Sequence, residues 1–156
     1  MTADVQIANQ GPDPTILVVD DNKAVLEFLL LLLSKCGLSV IGASSGRECL
    51  KIVKSRPVDL ILLDVMMPVM DGLQVCQELK KTSPAVPIIL LTARDDMMTR
   101  AAAMELGVHE FLTKPVNNQD LINRLRSHLR HLQWDQTADQ LFSTTEKSSG
   151  TPGPNK

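Results

Sequence analysis

The sequence predicts an α/β fold, a five-stranded parallel sheet doubly wound with helices on both faces. Three observations carry that expectation. Apolar runs of strand length alternate five times with helix-like stretches along the middle of the chain. The first, third and fourth runs are apolar almost throughout, as strands covered on both faces are, which favours a parallel sheet between helix layers. Helix-capping serines, glycines and prolines fall in the connections, where they end one element and start the next.

The first strand is expected at 16–19, inside "TILVVDDN", and it runs directly into Asp20 and Asp21. A helix follows at 22–36 and contains "FLLLLL". Six apolar residues between Glu27 and Ser34 fall far short of the ~20 needed to span a bilayer, so a helix with a wide buried face is predicted. Gly37 can end it. The second strand, 40–43, leads through Ser44 and Ser45, both suited to cap a helix at 46–55. Pro57 lies in the next connection. The third strand, 60–65, carries Asp64 and precedes a helix at 72–81. Pro84 and Pro87 flank the start of the fourth strand, 86–91, which Thr92 follows. A helix at 95–106 ends near Gly107. A weaker fifth strand, 110–113, is followed by Lys114 and a helix at 118–132.

The two ends differ in composition. Residues 1–14 and about 143–156 are rich in Ser, Thr, Pro, Gly and charge and read as disordered tails. Within the 133–156 extension, Trp134, Ala138, Leu141 and Phe142 recur at helical spacing and predict a short amphipathic helix over 134–142. A domain of 15–132 therefore lies between a tail and an extension. The chain has 156 residues, 44% hydrophobic and 22% charged, enough for one domain with a real core. A net charge of −2 offers no field for nucleic acid or an anionic membrane. Cys36, Cys49 and Cys76 are odd in number and form no CxxC pair, which speaks against a disulfide framework or a zinc site. A cytoplasmic setting fits these thiols, and residues 1–14 lack the apolar centre of a secretory signal.

In a parallel sheet the carboxyl ends of all strands share one edge, where ligands bind. That edge collects Asp20 and Asp21 after strand 1, Asp64 after strand 3, Thr92 after strand 4 and Lys114 after strand 5. With the strands ordered 2-1-3-4-5, strands 1 and 3 are neighbours at the topological switch point, so three carboxylates converge. Like charges that close need a cation, and hard oxygen donors with open positions suit Mg²⁺. A carboxylate beside Mg²⁺ can attack a phosphoryl group and become an aspartyl phosphate. Lys114 and the metal would neutralise the phosphoryl oxygens, and Thr92 can offer its hydroxyl to one of them.

"VVDD", "LILLDVMMPVMDG", "ILLTA" and "FLTKP" together resemble the signature segments of response-regulator receiver domains, over residues 15 to about 132. The spacings agree with that family: 43 residues from Asp21 to Asp64, 28 on to Thr92 and 22 on to Lys114. The resemblance implies a flavodoxin-like (βα)5 domain of a two-component or phosphorelay system. It implies Asp64 as phosphoacceptor, Asp21 as direct metal ligand, Asp20 acting mostly through water, and the Met66 backbone carbonyl as a further metal ligand. It also implies a cis peptide at Lys114–Pro115, a structural turn at Asp71-Gly72, and a switch in which Thr92 moves and Phe111 fills the vacated space. Partners would be a histidine kinase or a histidine phosphotransfer protein, with output or dimerisation through the fourth helix, fifth strand and fifth helix, extended by Leu125, Leu129 and Leu132.

The alternative function is a Mg²⁺-dependent phosphohydrolase using the same aspartyl phosphate. It is disfavoured because Met66 stands where such enzymes carry a second aspartate, and because no insertion is long enough for a substrate-selecting cap. The expectation is therefore a signalling phosphoacceptor rather than an enzyme. About two dozen residues follow the fifth helix, too few for an output domain, so the chain is expected to act alone, binding a partner or relaying phosphate without contacting nucleic acid. Neither Met66 nor Arg94 is suited to orient an attacking water, so unexceptional self-dephosphorylation is expected. Met66, Met67, Met70, Met97, Met98 and Met104 read as packing residues. His109, His128 and His131 lack metal-ligand spacing and read as surface or helix-end residues. Arg124, Arg126 and Arg130 read as a solvated helix face.

Overall fold

A computed structural model of the chain describes residues 13–93 and 96–130. Ten elements alternate without interruption: β1 (Thr15–Val19), α1 (Lys23–Lys35), β2 (Ser39–Ala43), α2 (Gly46–Ser55), β3 (Leu60–Leu63), α3 (Gly72–Thr82), β4 (Ile88–Thr92), α4 (Met97–Glu105), β5 (Glu110–Thr113) and α5 (Asn118–Leu129). The five strands form one parallel sheet in the order β2-β1-β3-β4-β5, as predicted. The helix predicted over 134–142 and the greater part of both tails lie outside the described residues.

Most boundaries have a local cause. Asn22, Ser45, Asp71, Asp96 and Asn117 each cap a helix by accepting a hydrogen bond from the backbone N–H three residues on. Ser45, not Ser44, is the cap of α2. Ser44 instead donates its N–H and hydroxyl to Glu48, which closes the turn from outside. Gly37 and Gly107 take φ of 88° and 81° just past α1 and α4, a region where a side chain would be strained. β4 starts at Ile88 rather than 86, because Pro87 has no N–H for a ladder and Val86 is tied in a turn to the Ser83 carbonyl. It also runs one residue further and includes Thr92. β3 stops at Leu63, two residues early, where the chain turns so that the Gly72 N–H can reach the Val65 carbonyl at 2.8 Å.

Side chains alternate across the sheet and build two cores. Ile16, Val18, Leu60 and Leu62 face α1 and α5, meeting Leu29, Leu33, Leu121, Ile122, Leu125 and Leu129. Leu17, Val19, Ile61 and Leu63 face α2, α3 and α4, meeting Cys49, Val75, Cys76, Leu79 and Ala103.

Three packing expectations need correction. The buried face of the "FLLLLL" helix is narrower than expected. Leu29 and Leu33, one helical turn apart, are buried, but Phe28 is 51% and Leu31 57% exposed because 100° per residue carries them round to solvent. Of the methionines, Met67 is buried and Met70 half-buried, whereas Met66, Met97, Met98 and Met104 are exposed. Leu125 and Leu129 are fully buried against the sheet, so neither is available to extend a dimer surface; Leu132 lies outside the described residues. Arg124 on α5 is engaged by Glu110 at 2.7 Å and Asp120 at 3.4 Å, and His128 reaches the other Glu110 oxygen at 3.3 Å.

Candidate functional site at the carboxyl edge of the sheet

The strand ends bring the predicted residues together. Asp20 follows β1 with its N–H on the Ala43 carbonyl (3.1 Å), and Asp64 follows β3 with its N–H on the Val19 carbonyl (3.0 Å). Both carboxylates are thereby fixed by main-chain bonds to the neighbouring strand. Lys114 follows β5 and donates its N–H to the Thr92 carbonyl at 2.7 Å. Its peptide bond to Pro115 is cis, as expected.

Asp20, Asp64 and Thr92 are buried, and Asp21 is exposed at the rim. One carboxylate oxygen from each of Asp20, Asp21 and Asp64 lies within 4.8 Å of the others. The Lys114 ammonium rests 2.7 Å from Asp20 and 3.8 Å from Asp64. Asp20 also accepts the Asn22 N–H at 2.9 Å, and Asp64 accepts the Met66 N–H at 3.3 Å.

One ammonium faces three carboxylates, and Asp64 registers the imbalance. Burial pushes its pKa up from 3.8 to about 6; Lys114 and the Met66 N–H pull it down, while Asp20 and Asp21 add to the rise. A carboxylate held this uneasily is relieved by added positive charge. The all-oxygen donor set, partly open to solvent through Asp21, fits a hard divalent cation.

Asp71 and Gly72 set the loop beneath the acceptor. Asp71 and Gln74 form a reciprocal capping box at the start of α3. A Cβ at Gly72 would collide with the Asp64 carbonyl oxygen and stand 2.8 Å from the Val65 Cα, so only glycine fits. Between them and Asp64, Val69 takes a φ of 70°, with the Met70 N–H on the Pro68 carbonyl at 2.7 Å.

Phe111 is buried on the α4 side of the sheet, in register with Leu90, two positions before the Thr92–Thr113 pair. The Arg100 guanidinium from α4 lies 4.4 Å from the centre of its ring. Sequence reasoning did not single out Arg100, and no motif marks it, because helix and strand meet only in the folded chain. Nor was the groove beside Lys114 foreseen. About 550 Å³ in volume, it is lined by Ala24, Val25 and Phe28 of α1 and by Pro115, Val116 and Asn118 after β5, among others. Arg94 and His131 lie outside the described residues.

Comparison with known proteins agrees with this geometry. Residues 16–126 match the family model of the response regulator receiver domain. Response regulator MprA of Mycolicibacterium vanbaalenii is 43% identical over 130 residues, which cover 83% of this chain and 56% of that protein. The chain thus spans little more than half the length of that relative. A CheY-like receiver domain protein from Methanospirillum hungatei superposes with a TM-score of 0.74 at 26% identity, covering 76% of this chain and 95% of that one. The Thermotoga maritima response regulator TrrA, solved in complex with Mg(2+)-BeF, gives 0.69 at 33% identity over 74% and 99%. Among the described residues no helix is long and apolar enough to cross a membrane. The chain belongs to the response-regulator receiver family and carries its phosphoacceptor signalling role.

Proposed function

We propose that Asp64 accepts a phosphoryl group from a phosphohistidine, on a histidine kinase or a histidine phosphotransfer protein, and that residues 15–132 form the unit that does so. One observation carries this: a buried carboxylate, raised in pKa, set among Asp20, Asp21 and the Lys114 ammonium at the edge of a parallel sheet. One Asp64 oxygen attacks phosphorus as the P–N bond breaks, and the imidazole departs with that bond's electron pair. Lys114 reaches the phosphoryl oxygens with its ammonium, and the Thr92 hydroxyl donates to one of them. Asp20, Asp21, Asp64 and the Met66 carbonyl would hold Mg²⁺, which when bound supplies further neutralisation of the phosphoryl charge. Asp20 has the Asn22 N–H to orient it meanwhile.

The acylphosphate biases a switch in which Thr92 moves and Phe111 follows, altering the face made by α4, β5 and α5. That face then binds a protein partner or a second copy, or phosphate passes onward in a relay. The chain catalyses only its own phosphorylation and dephosphorylation, in the cytoplasm, and does not contact nucleic acid itself. Because Lys114 borders both Asp64 and this groove, a protein that brings its phosphohistidine to Asp64 passes beside it, and the groove with its exposed Phe28 is where that donor docks.

The test uses two donors, acetyl phosphate and a phosphorylated histidine phosphotransfer protein, each with Mg²⁺. Intact mass should show one added phosphoryl group that Asp64→Asn lacks. Phe28→Ser should slow transfer from the protein donor about tenfold and leave acetyl phosphate unaffected. Equal uptake by Asp64→Asn rejects the assignment of the acceptor.

A further inference from the structure

The geometry points to Arg100 as a positioning residue that latches Phe111 in its resting place, so that α4 and the phosphorylation site are coupled through a cation–π contact. The inference rests on the switch proposed above and extends it to a residue outside the strand-end constellation.

α4 is lightly held. Ala103 is its one buried residue, and Met97, Met98 and Met104 face solvent. Its far end is tied by Lys80, which donates to the Glu105 carbonyl at 3.3 Å. Near its start, Arg100 lies over the Phe111 ring with 4.4 Å between guanidinium carbon and centroid. A helix with so little buried surface depends heavily on each remaining hold. The face of an aromatic ring is electron-rich, and a guanidinium within about 6 Å of its centre is attracted to it at every working pH.

The proposed switch requires Phe111 to leave this position for the space that Thr92 vacates. Leaving it separates ring from guanidinium or drags α4 along. Where they part, the contact is lost, so it favours the position of the ring seen here, and removing it releases a population shift toward the switched state. At an exposed arginine the attraction corresponds to about a two- to fivefold shift in that equilibrium.

The experiment combines two readouts on the parent, Arg100→Ala, Arg100→Lys, Phe111→Leu and the Arg100→Ala/Phe111→Leu double variant. The chain has three phenylalanines, so a fluorophenylalanine-labelled protein gives a ¹⁹F signal for Phe111 that the Phe111→Leu variant assigns. Without any phosphodonor, Arg100→Ala should move that signal, and Arg100→Lys should move it less. With acetyl phosphate and Mg²⁺, Arg100→Ala should be phosphorylated about two- to fivefold faster, with Arg100→Lys between it and the parent. On the Phe111→Leu background the same substitution should change nothing. An unmoved ¹⁹F signal, an unchanged or slower rate, or an equal effect in the absence of the Phe111 ring overturns the latch. A parent protein that takes no phosphate while the ¹⁹F signal still responds rejects the phosphoacceptor reading, and the latch falls with it.

Discussion

Replacing Asp64 by asparagine should stabilise the metal-free protein above pH 6, and the size of the gain follows from the site. Burial and the neighbouring Asp20 and Asp21 raise the Asp64 pKa from 3.8 to about 6. A folded state that holds the proton more tightly than the unfolded chain loses stability as pH rises from about 3.8 through about 6. The loss then stays constant at higher pH. A shift of about two units corresponds to ~3 kcal/mol at ~1.4 kcal/mol per unit. The raised value is already net of the attraction to Lys114, 3.8 Å away, and asparagine stands in for the protonated acid without matching its hydrogen bonding fully, so the gain should be about 1–3 kcal/mol. Urea unfolding in EDTA at a series of pH values measures it. The stability difference between variant and parent should grow between pH 4 and 6 and level off by pH 7. Added Mg²⁺ should then stabilise the parent and leave the variant nearly unchanged. A variant no more stable than the parent at pH 7.5, or a difference independent of pH, would refute the account of the site as a cluster short of positive charge.

Two further outcomes concern the loop between β3 and α3. Gly72→Ala forces a Cβ onto the Asp64 carbonyl and should cost about 2–3 kcal/mol in urea unfolding while slowing phosphorylation by acetyl phosphate. Wild-type stability would contradict the contact. Val69, β-branched, 86% exposed and at a φ of 70°, gains nothing from packing in return for its conformation. Val69→Gly should therefore raise the melting temperature, by about 0.5–1 kcal/mol of stability once glycine's greater unfolded freedom is subtracted; a lowered melting temperature would count against strain at this position.

Much of this architecture was legible in the sequence because parallel strands advertise themselves. "TILVV" and "LILL" are apolar on both faces, and each ends on an acid that has no reason to follow a buried strand unless the strand ends share a site. Strand order then brings Asp20, Asp21 and Asp64 together without further information. Legibility failed where composition was uninformative about direction. Five leucines after Phe28 look alike in a row, yet helical rotation buries Leu29 and Leu33 and turns Leu31 outward. Leu121, Leu125 and Leu129 recur every four residues, a core stripe that a reading of the last two as an interface overlooked. The preference of Lys114 for Asp20 over Asp64 depends on about an ångström of placement, and the seating of Arg100 on Phe111 joins two elements that the sequence separates. Neither leaves a local signature.

The sheet divides the interior into two compartments that share no side chains. The groove beside Lys114 opens on the side closed by α1 and α5, whereas Phe111 and Arg100 belong to the side closed by α2, α3 and α4. The strand tips that carry Asp64, Thr92 and Lys114 lie where the two territories meet. Substitutions around the groove and around Arg100 therefore act through separate cores, and α5, which borders the groove through Asn118 and also belongs to the proposed output face, has to serve both.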